Sequence, residues 1–275
     1  MSIDRPIVIL APRITDDSVT IWRTCLDLGW SSVRLRGWRV PDELLSHSGD
    51  FILYGEPLFA EAACDQLGLV LLEPAIDWLT TVPREHLSRE IEIMSLGDAR
   101  NKVSRAFVKP ADGKIFEPKV YDTGADLPTE DRVDASIPVL RSGIMDFRLE
   151  VRCFIKEREI VTLSPYWRND ELALDPAGNW PFLLGEEEAA RTFACKVLAD
   201  PKVTLPPACT LDVGLDARGV WAVIEANPCW GAGLYGCDPA AVLKTIRVAI
   251  RKRSEVSVDD LPWISKRRSE IHGEP

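Results

Sequence analysis

The chain has 275 residues, of which 46% are hydrophobic and 28% charged, and these values are ordinary for a globular protein. A formal net charge of -10 argues against nucleic acid as the main partner, because phosphate backbones are bound by clustered Lys and Arg. No stretch reaches the ~18 consecutive apolar residues of a membrane span, and the first residues do not resemble a secretory signal. We therefore expect a cytoplasmic protein with no membrane partner.

The seven cysteines and three histidines show no metal-binding or catalytic spacing. No two cysteines form a Cys-x-x-Cys pair, and His47, His86 and His272 do not belong to a Cys/His cluster. The pattern predicts free, buried thiols and argues against zinc or thiol chemistry.

Short apolar runs alternate with helical segments in the N-terminal part of the chain. A helix follows the first strand, with Asp16, Asp17 and Ser18 as candidate N-caps and Gly29 as its end. The other predicted elements are strands over 7–10, 32–35, 51–54 and 69–72 and a helix over 56–67. This alternation predicts a small open parallel sheet, so we interpret residues 1–75 as an N-terminal α/β lobe.

Strands and polar loops follow in the middle of the chain. The predicted elements are a helix over 77–97 that breaks at Pro83, strands over 105–109, 137–140, 147–155 and 160–163, and a return strand beginning at Val120. The turn at 156–158 predicts an antiparallel hairpin. The segment 112–119 is polar and flanked by prolines, which predicts a mobile loop.

The C-terminal part is predicted to hold a second hairpin between two helices. The predicted elements are helices over 185–198 and 239–253 and strands over 210–213 and 221–226, joined by a turn at 216–219. Three glutamates at 186–188 fit the first turn of a helix, where acids favour the helix dipole. The basic residues 266–268 are interpreted as part of a loosely held tail.

The second hairpin carries the most informative side chains. Glu225 and Asn227 are two residues apart on one strand and project from one face of the sheet, where Asp212 on the partner strand can lie beside them. Two carboxylates and an amide oxygen suit Mg²⁺, which takes its remaining ligands from water and substrate phosphates. The alternative is a polar outer face of an ordinary sheet.

The same segment resembles the metal-binding hairpin of ATP-grasp enzymes, in the order Asp212 followed by Ile-Glu-Ala-Asn-Pro at 224–228. Phe-Val-Lys-Pro at 107–110 is similar to the strand whose lysine meets ATP phosphate, and Lys114 has the place of the second lysine on the phosphate loop. Glu150-Val-Arg152 falls on the intervening strand. The chain is most similar to the little-characterised clade named for one arginine and two lysines.

The resemblance covers about residues 78–247 and implies an α/β protein whose catalytic part is α+β. Two ATP-grasp lobes, over 76–140 and 141–253, would hold Mg-ATP between them, behind the N-terminal lobe and ahead of a tail over 254–275. Lys109 would meet the α and β phosphates, and Lys114 would close over the β and γ phosphates. Arg152 would hold the γ-phosphate and then an acyl phosphate; its alternative is an ion pair with Glu150.

The resemblance also suggests where the nucleoside and the second substrate bind. The connector formed by Arg141, Ser142, Gly143 and Ile144 stands where relatives bind adenine, and Glu150 joins the nucleotide-binding set. No acid for the ribose occurs before Asp146. The glycine-rich segment 229–236 is either a loop that shapes the second-substrate pocket or a tight turn before the last helix.

Three functions are compatible with this set of residues. The first is a carboxylate–amine ligase that activates a small-molecule or peptide carboxylate with Mg-ATP. The second is a small-molecule kinase that uses the same site, and the third is a catalytically silent nucleotide-binding module. A Gly-x-Ser-x-Gly elbow and a Walker motif are both absent from the sequence, which argues against an α/β hydrolase and a P-loop enzyme.

Overall fold

The computed structural model describes residues 5–265. Its α-helices are α1 Asp16–Leu28, α2 Asp42–Leu45, α3 Pro57–Gln66, α4 Trp78–Thr81, α5 Arg84–Leu87, α6 Leu96–Lys102, α7 Glu186–Ala199 and α8 Pro239–Val248. Its strands are β1 Ile7–Leu10, β2 Ser31–Arg34, β3 Phe51–Tyr54, β4 Leu69–Leu71, β5 Ile91–Ser95, β6 Ser104–Pro110, β7 Lys119–Thr123, β8 Pro138–Ser142, β9 Phe147–Lys156, β10 Glu159–Arg168, β11 Glu171–Leu172, β12 Ala208–Asp216, β13 Trp221–Asn227 and β14 Ile250–Lys252.

The N-terminal lobe is built on a parallel sheet in the order β2-β1-β3. Helix α1 begins after Thr15, whose hydroxyl accepts a hydrogen bond from the Ser18 amide, and it ends at Gly29 with φ +63°. The predicted N-caps were therefore wrong. Asp16 and Asp17 lie inside the first turn, because a hydroxyl in extended backbone at position 15 already caps the helix.

The C-terminal part of the chain returns to the N-terminal lobe. Helix α8 ends at Val248 rather than near 253, and β14 pairs antiparallel with β4. A bridge between Leu72 and Ile264 extends this contact. The described part of the predicted tail is thus attached to the lobe through backbone hydrogen bonds, and the basic residues 266–268 lie outside the described residues.

A four-stranded sheet in the order β5-β8-β6-β7 follows the N-terminal lobe and carries Lys109 on β6. The sequence interpretation of 77–97 as a helix was wrong beyond Leu87, because β5 pairs with β8 along its whole length. Arg141 and Ser142 belong to this pairing as well and not to a connector. The sheet packs on a small core of its own, which includes buried residues such as Leu96, Val108 and Val139.

The five-stranded sheet in the order β11-β10-β9-β12-β13 holds the second hairpin. Both predicted hairpins are present, since β9 pairs with β10 and β12 pairs with β13. In the turn between β12 and β13, the Asp216 carboxylate accepts hydrogen bonds from the amides of Arg218 and Val220. The turn therefore fixes the register of the two strands that carry the predicted metal ligands.

Candidate active site

Cross-strand register places the key side chains of the five-stranded sheet side by side. Arg152 on β9 is opposite Asp212 on β12, and Asp212 is opposite Glu225 on β13. Asn227 lies two residues further along β13, opposite Thr210. Directly opposed residues of antiparallel strands project from the same face, so Arg152, Asp212, Glu225 and Asn227 form one row of charged and polar groups.

Arg152 and Asp212 form a buried, bidentate ion pair. The Arg152 Nε and Nη2 donate to the two carboxylate oxygens of Asp212 at 3.0 and 2.7 Å, and neither side chain is more than 8% exposed. Burial by itself would lower the pKa of Arg152, but the Asp212 carboxylate outweighs burial and raises that pKa above its ordinary value. The alternative considered from sequence, an ion pair between Arg152 and Glu150, is not the one the fold makes.

Glu225 joins the two sheets. Lys109, on β6 of the four-stranded sheet, forms an ion pair with Glu225, and the Asn227 Nδ2 donates to the other Glu225 oxygen at 2.8 Å. Burial would raise the pKa of Glu225, but the Lys109 ammonium and the Asn227 amide outweigh it and lower the pKa to about 2. Glu225 is therefore ionised at any physiological pH.

The donor set fits a magnesium ion. Asp212, Glu225 and Asn227 supply carboxylate and amide oxygens on one face, and such hard oxygens are the ligands Mg²⁺ takes in phosphate-handling sites. Lys109 pairs with Glu225 and Arg152 with Asp212, so two of the three oxygen donors each have a cation beside them.

A family model for an ATP-grasp domain, that of the R-2-K clade, family 2, matches residues 86–245, which is more than half of the chain. The protein belongs to this ATP-grasp family. The match includes Lys109 on the four-stranded sheet and the whole row of charges on the five-stranded sheet.

Solved structures show the same fold at low sequence identity. D-cycloserine synthetase DcsG has a TM-score of 0.56 at 13% identity and covers 88% of this chain and 98% of its own. N5-carboxyaminoimidazole synthetase from Staphylococcus aureus has a TM-score of 0.54 at 11% identity, covering 92% and 81%. The D-alanine–D-alanine ligase of Bacillus anthracis, solved with ATP, has a TM-score of 0.51 at 11% identity, covering 90% and 97%. A search of curated protein sequences finds no match.

The sequence predicted no membrane span, and it predicted free, buried thiols. Across residues 5–265, no helix is both long and apolar enough to cross a membrane. All seven cysteines are free thiols, and six of them are buried. Burial raises the pKa of Cys25 to about 11 and of Cys237 to about 12, which keeps these thiols protonated and unreactive.

Lys114 is the predicted ATP-grasp residue that the fold leaves apart from the row of charges. It lies exposed in the loop between β6 and β7, next to Gly113 with φ +66°. Among residues 5–265, no ion pair links Lys114 to the carboxylates of the site. The end of the loop is anchored, because the Tyr121 hydroxyl donates to the Glu117 carbonyl at 2.8 Å. This bond ties the end of the loop to β7.

Glu150 lies two residues before Arg152 on β9, on the same face of the strand. It accepts a hydrogen bond from the hydroxyl of Tyr166 on β10. Burial raises the pKa of Glu150 to about 7, an effect that the Tyr166 hydrogen bond partly offsets and the neighbouring Asp212 increases. Glu150 therefore sits in the site as a carboxyl group that titrates near neutral pH.

The predicted adenine connector is reduced to a short link between the sheets. Arg141 forms an ion pair with Glu92 at 2.6 Å, and the Ser142 hydroxyl donates to the carbonyl of Gly143. The Gly143 amide donates to the Glu90 carbonyl, and Ile144 is 44% exposed. The link from β8 to β9 thus runs beside the segment that leads into β5. The segments by which the chain enters and leaves the four-stranded sheet therefore lie side by side.

Arg89 was missed by sequence reasoning. Its guanidinium donates to the carbonyls of Val223 and Ile224 on β13 at 2.8 and 3.3 Å, directly before Glu225. Burial lowers the pKa of Arg89 to about 10, with Glu225 opposing the shift. Nothing in the local sequence signals this contact, because it joins Arg89 to residues 134 and 135 positions away, a separation that no short pattern spans.

The segment 229–236 packs between the row of charges and the N-terminal lobe. The Tyr54 hydroxyl shares its proton between the Ala232 carbonyl, at 3.0 Å, and a carboxylate oxygen of Asp17. The Arg152 Nη1 donates to the Gly233 carbonyl at 3.2 Å. The sequence offered two alternatives for this segment, a pocket loop and a tight turn before the last helix. The segment contains turns, leads into α8 and contacts Arg152.

Proposed function

We propose that the protein is an ATP-dependent carboxylate–amine ligase that works through an acyl phosphate and releases ADP and phosphate. The observation that supports this most directly is the convergence of two cations and three oxygen ligands where the two sheets meet: Lys109, Arg152, Asp212, Glu225 and Asn227. Membership of the ATP-grasp family and the fold shared with ATP-grasp ligases point the same way.

In the proposed first step, a substrate carboxylate oxygen forms a bond to the γ-phosphorus of ATP while the bond from that phosphorus to the β–γ bridging oxygen breaks, and ADP leaves. Asp212, Glu225 and Asn227 would hold Mg²⁺, which neutralises phosphate charge when bound. Lys109 and Lys114 would orient the phosphates from the four-stranded sheet. Arg152 would stabilise the charge on the transferring group.

In the proposed second step, an amine attacks the carbonyl carbon of the acyl phosphate. The bond from that carbon to the phosphate oxygen breaks, phosphate leaves with the electron pair, and the amine loses a proton as the amide forms. Arg152 would hold the leaving phosphate, since its side chain lies on the same face of the sheet as the predicted metal ligands.

The decisive experiment measures ADP release with pooled carboxylates, with and without pooled amines, and with hydroxylamine as a trap. A ligase forms ADP and, with hydroxylamine, a hydroxamate, because hydroxylamine attacks acyl phosphates. ADP formed with a stable phosphate ester and no hydroxamate would identify a kinase instead. ATP binding without ADP release under any of these conditions would identify a silent module. Glu225→Gln supplies the inactive control.

A further inference from the structure

Asp17, in the first turn of α1, is a carboxylate without a cationic partner. Its Oδ2 accepts hydrogen bonds from the Tyr54 hydroxyl at 3.1 Å and from the Leu234 amide at 3.2 Å. Within residues 5–265, no Lys or Arg lies at ion-pair distance from Asp17, and its Oδ1 has no hydrogen-bond partner. The Asp17 carboxylate therefore has hydrogen-bonding capacity left for a positive group.

Arg152 and Asp17 face a common space beside Gly233. A methyl group built on Gly233 would lie 3.6 Å from both the Arg152 Nη1 and the Asp17 Oδ2, and 3.5 Å from the Tyr235 Cζ. The two charged atoms are therefore no further apart than twice 3.6 Å. Asp212 and the Gly233 carbonyl use three of the five N–H groups of Arg152, which leaves two for a ligand.

Aromatic rings close one side of this space. Tyr235 stacks on Tyr166 with ring centroids 4.9 Å apart, and Trp180 meets Tyr235 edge-on with centroids 5.1 Å apart. The Arg152 guanidinium lies 5.0 Å from the Tyr235 centroid. Rings with electron-rich faces favour a small cationic or apolar group over a second anion.

From these contacts we propose, on the basis of the function proposed above, that the activated carboxylate belongs to a free α-amino acid. Its carboxylate lies at Arg152 and its ammonium group at Asp17. Charged groups this close favour a ligand whose carboxylate and ammonium group are separated by one carbon over a ligand that holds its charges far apart. The side chain of the amino acid lies against Tyr235 and Trp180.

Asp17 also has a chemical consequence for the ligation. A carboxylate that holds the α-ammonium group keeps it protonated, and a protonated amine is not a nucleophile. The activated amino acid then does not condense with itself through its own nitrogen. The attacking amine comes from the second substrate.

The test compares free amino acids with blocked ones. We expect ADP release and a rise in melting temperature with one or more of the common L- and D-α-amino acids. The N-acetyl derivatives should be roughly 10- to 100-fold poorer in kcat/KM, the cost of losing one hydrogen bond to a charged group. Equal performance of free and N-acetylated acids, or no binding of any free amino acid, overturns the inference.

Substitutions assign the effect to Asp17. Asp17→Asn keeps an oxygen that accepts from Tyr54 and Leu234 but removes the charge, so kcat/KM for the amino acid should fall by the same roughly 10- to 100-fold while the Kd for ATP is unchanged. Asp16→Asn, an exposed neighbour in the same turn, is the matched control and should behave as wild type. An Asp17→Asn protein equal to wild type overturns the inference.

Gly233→Ala tests the space itself. The added methyl makes only ordinary van der Waals contacts in the free protein, so the fold and the ATP Kd should be retained. The methyl occupies the position between the two charges, and amino-acid binding should be lost. Binding is read from melting temperature, which needs no turnover. If the wild type binds free amino acids but releases no ADP, the ligase proposal fails while the amino-acid site between Arg152 and Asp17 stands.

Discussion

The charged residues of the two sheets that meet at the site differ in burial and in pairing. In the five-stranded sheet, Arg152 and Asp212 are buried and hold each other through two hydrogen bonds. In the four-stranded sheet, Lys109 is partly exposed and pairs with Glu225 of the other sheet. Lys114 is exposed in a loop. The charges of the five-stranded sheet are oriented by folding, whereas those of the loop are left for a ligand to orient.

This difference separates two contributions to an active site. A buried pair costs desolvation during folding and then needs little rearrangement when substrate arrives. An exposed lysine costs nothing in folding and loses its side-chain freedom when it meets phosphate. Substitutions in the two sheets should therefore divide between stability and ligand-dependent effects.

Arg152→Ala should have the largest effect. It leaves the Asp212 carboxylate buried without a partner, and breaking a buried pair in this way costs about 3–5 kcal/mol of unfolding free energy. Turnover should fall on the order of 10²–10³-fold, with a smaller change in the Kd for ATP, because the acyl phosphate gains contacts absent from bound ATP. Urea unfolding, calorimetry and ADP release measure the three quantities.

The double variant Arg152→Ala with Asp212→Ala separates folding from chemistry. It removes both members of the pair and should recover much of the lost stability without recovering turnover. Arg152→Lys keeps the charge but loses the planar fork, so its turnover should stay low. Full turnover in Arg152→Lys would show that charge alone is required.

Glu150→Gln should stabilise the protein in a pH-dependent way. The pKa of Glu150 is raised to about 7 in the fold by burial, from the ordinary 4.5, so the folded state retains a proton that the unfolded state loses between those values. Its favourable contribution is present below pH 4.5 and is lost as pH rises through 7. The advantage of Glu150→Gln should thus grow to about 2–3 kcal/mol between about pH 5 and pH 8, as measured by urea unfolding. A constant advantage across that range would contradict the assignment.

Glu225→Gln tests the contact between the sheets. The variant keeps a side-chain oxygen but loses the charge that pairs with Lys109 and would face Mg²⁺. Mg-dependent ATP binding should weaken on the order of tenfold or more, which is the cost measured even for residues that only support a metal ligand. Titration of ATP with and without Mg²⁺ makes the measurement. An equal loss in both titrations would remove Glu225 from the metal site.

Lys114→Gln should have the smallest effect on stability, within about 0.5 kcal/mol, because the side chain is exposed in a loop. The effect should appear with ligand, as slower ADP release and as loss of protection from hydrogen exchange in residues 112–115. Lys102→Gln, an exposed lysine on α6, is the control. If wild-type exchange over 112–115 is equally slow with and without nucleotide, loop closure is not part of the mechanism.

The sequence predicted the hairpin of the site well, because its signals are local. Strand alternation puts Glu225 and Asn227 on one face, and the turn ending at Gly219 fixes the pairing with Asp212. The conformation of Gly29 as a helix end was likewise predictable from its position after an apolar helix.

Two errors, the helix predicted as far as residue 97 and the helix predicted as far as residue 253, share a cause, which is pairing between distant parts of the chain. Ile91–Ser95 is a strand because β8, more than 40 residues later, offers it hydrogen-bond partners. β14 is a strand because β4 does the same. The contacts of Asp17 and Arg89 with the site depend on how the lobes pack, and tertiary contacts of this kind override local propensity.

The hydrophobic cores of the molecule differ in how many parts of the fold contribute to them. The N-terminal lobe and the five-stranded sheet contribute to one common core, in which Val8 and Ile52 are grouped with Phe154 and Trp230. The core of the four-stranded sheet contains buried residues from 96–139, while Leu140 of β8 packs in another core with β9 and β12. In native-state hydrogen exchange, the amides of β6 and β7 should therefore belong to a smaller cooperative unit, which opens at lower free energy than β9 and β12. Lys109 on β6 and Lys114 in the loop that follows it would then lie in the unit that opens first.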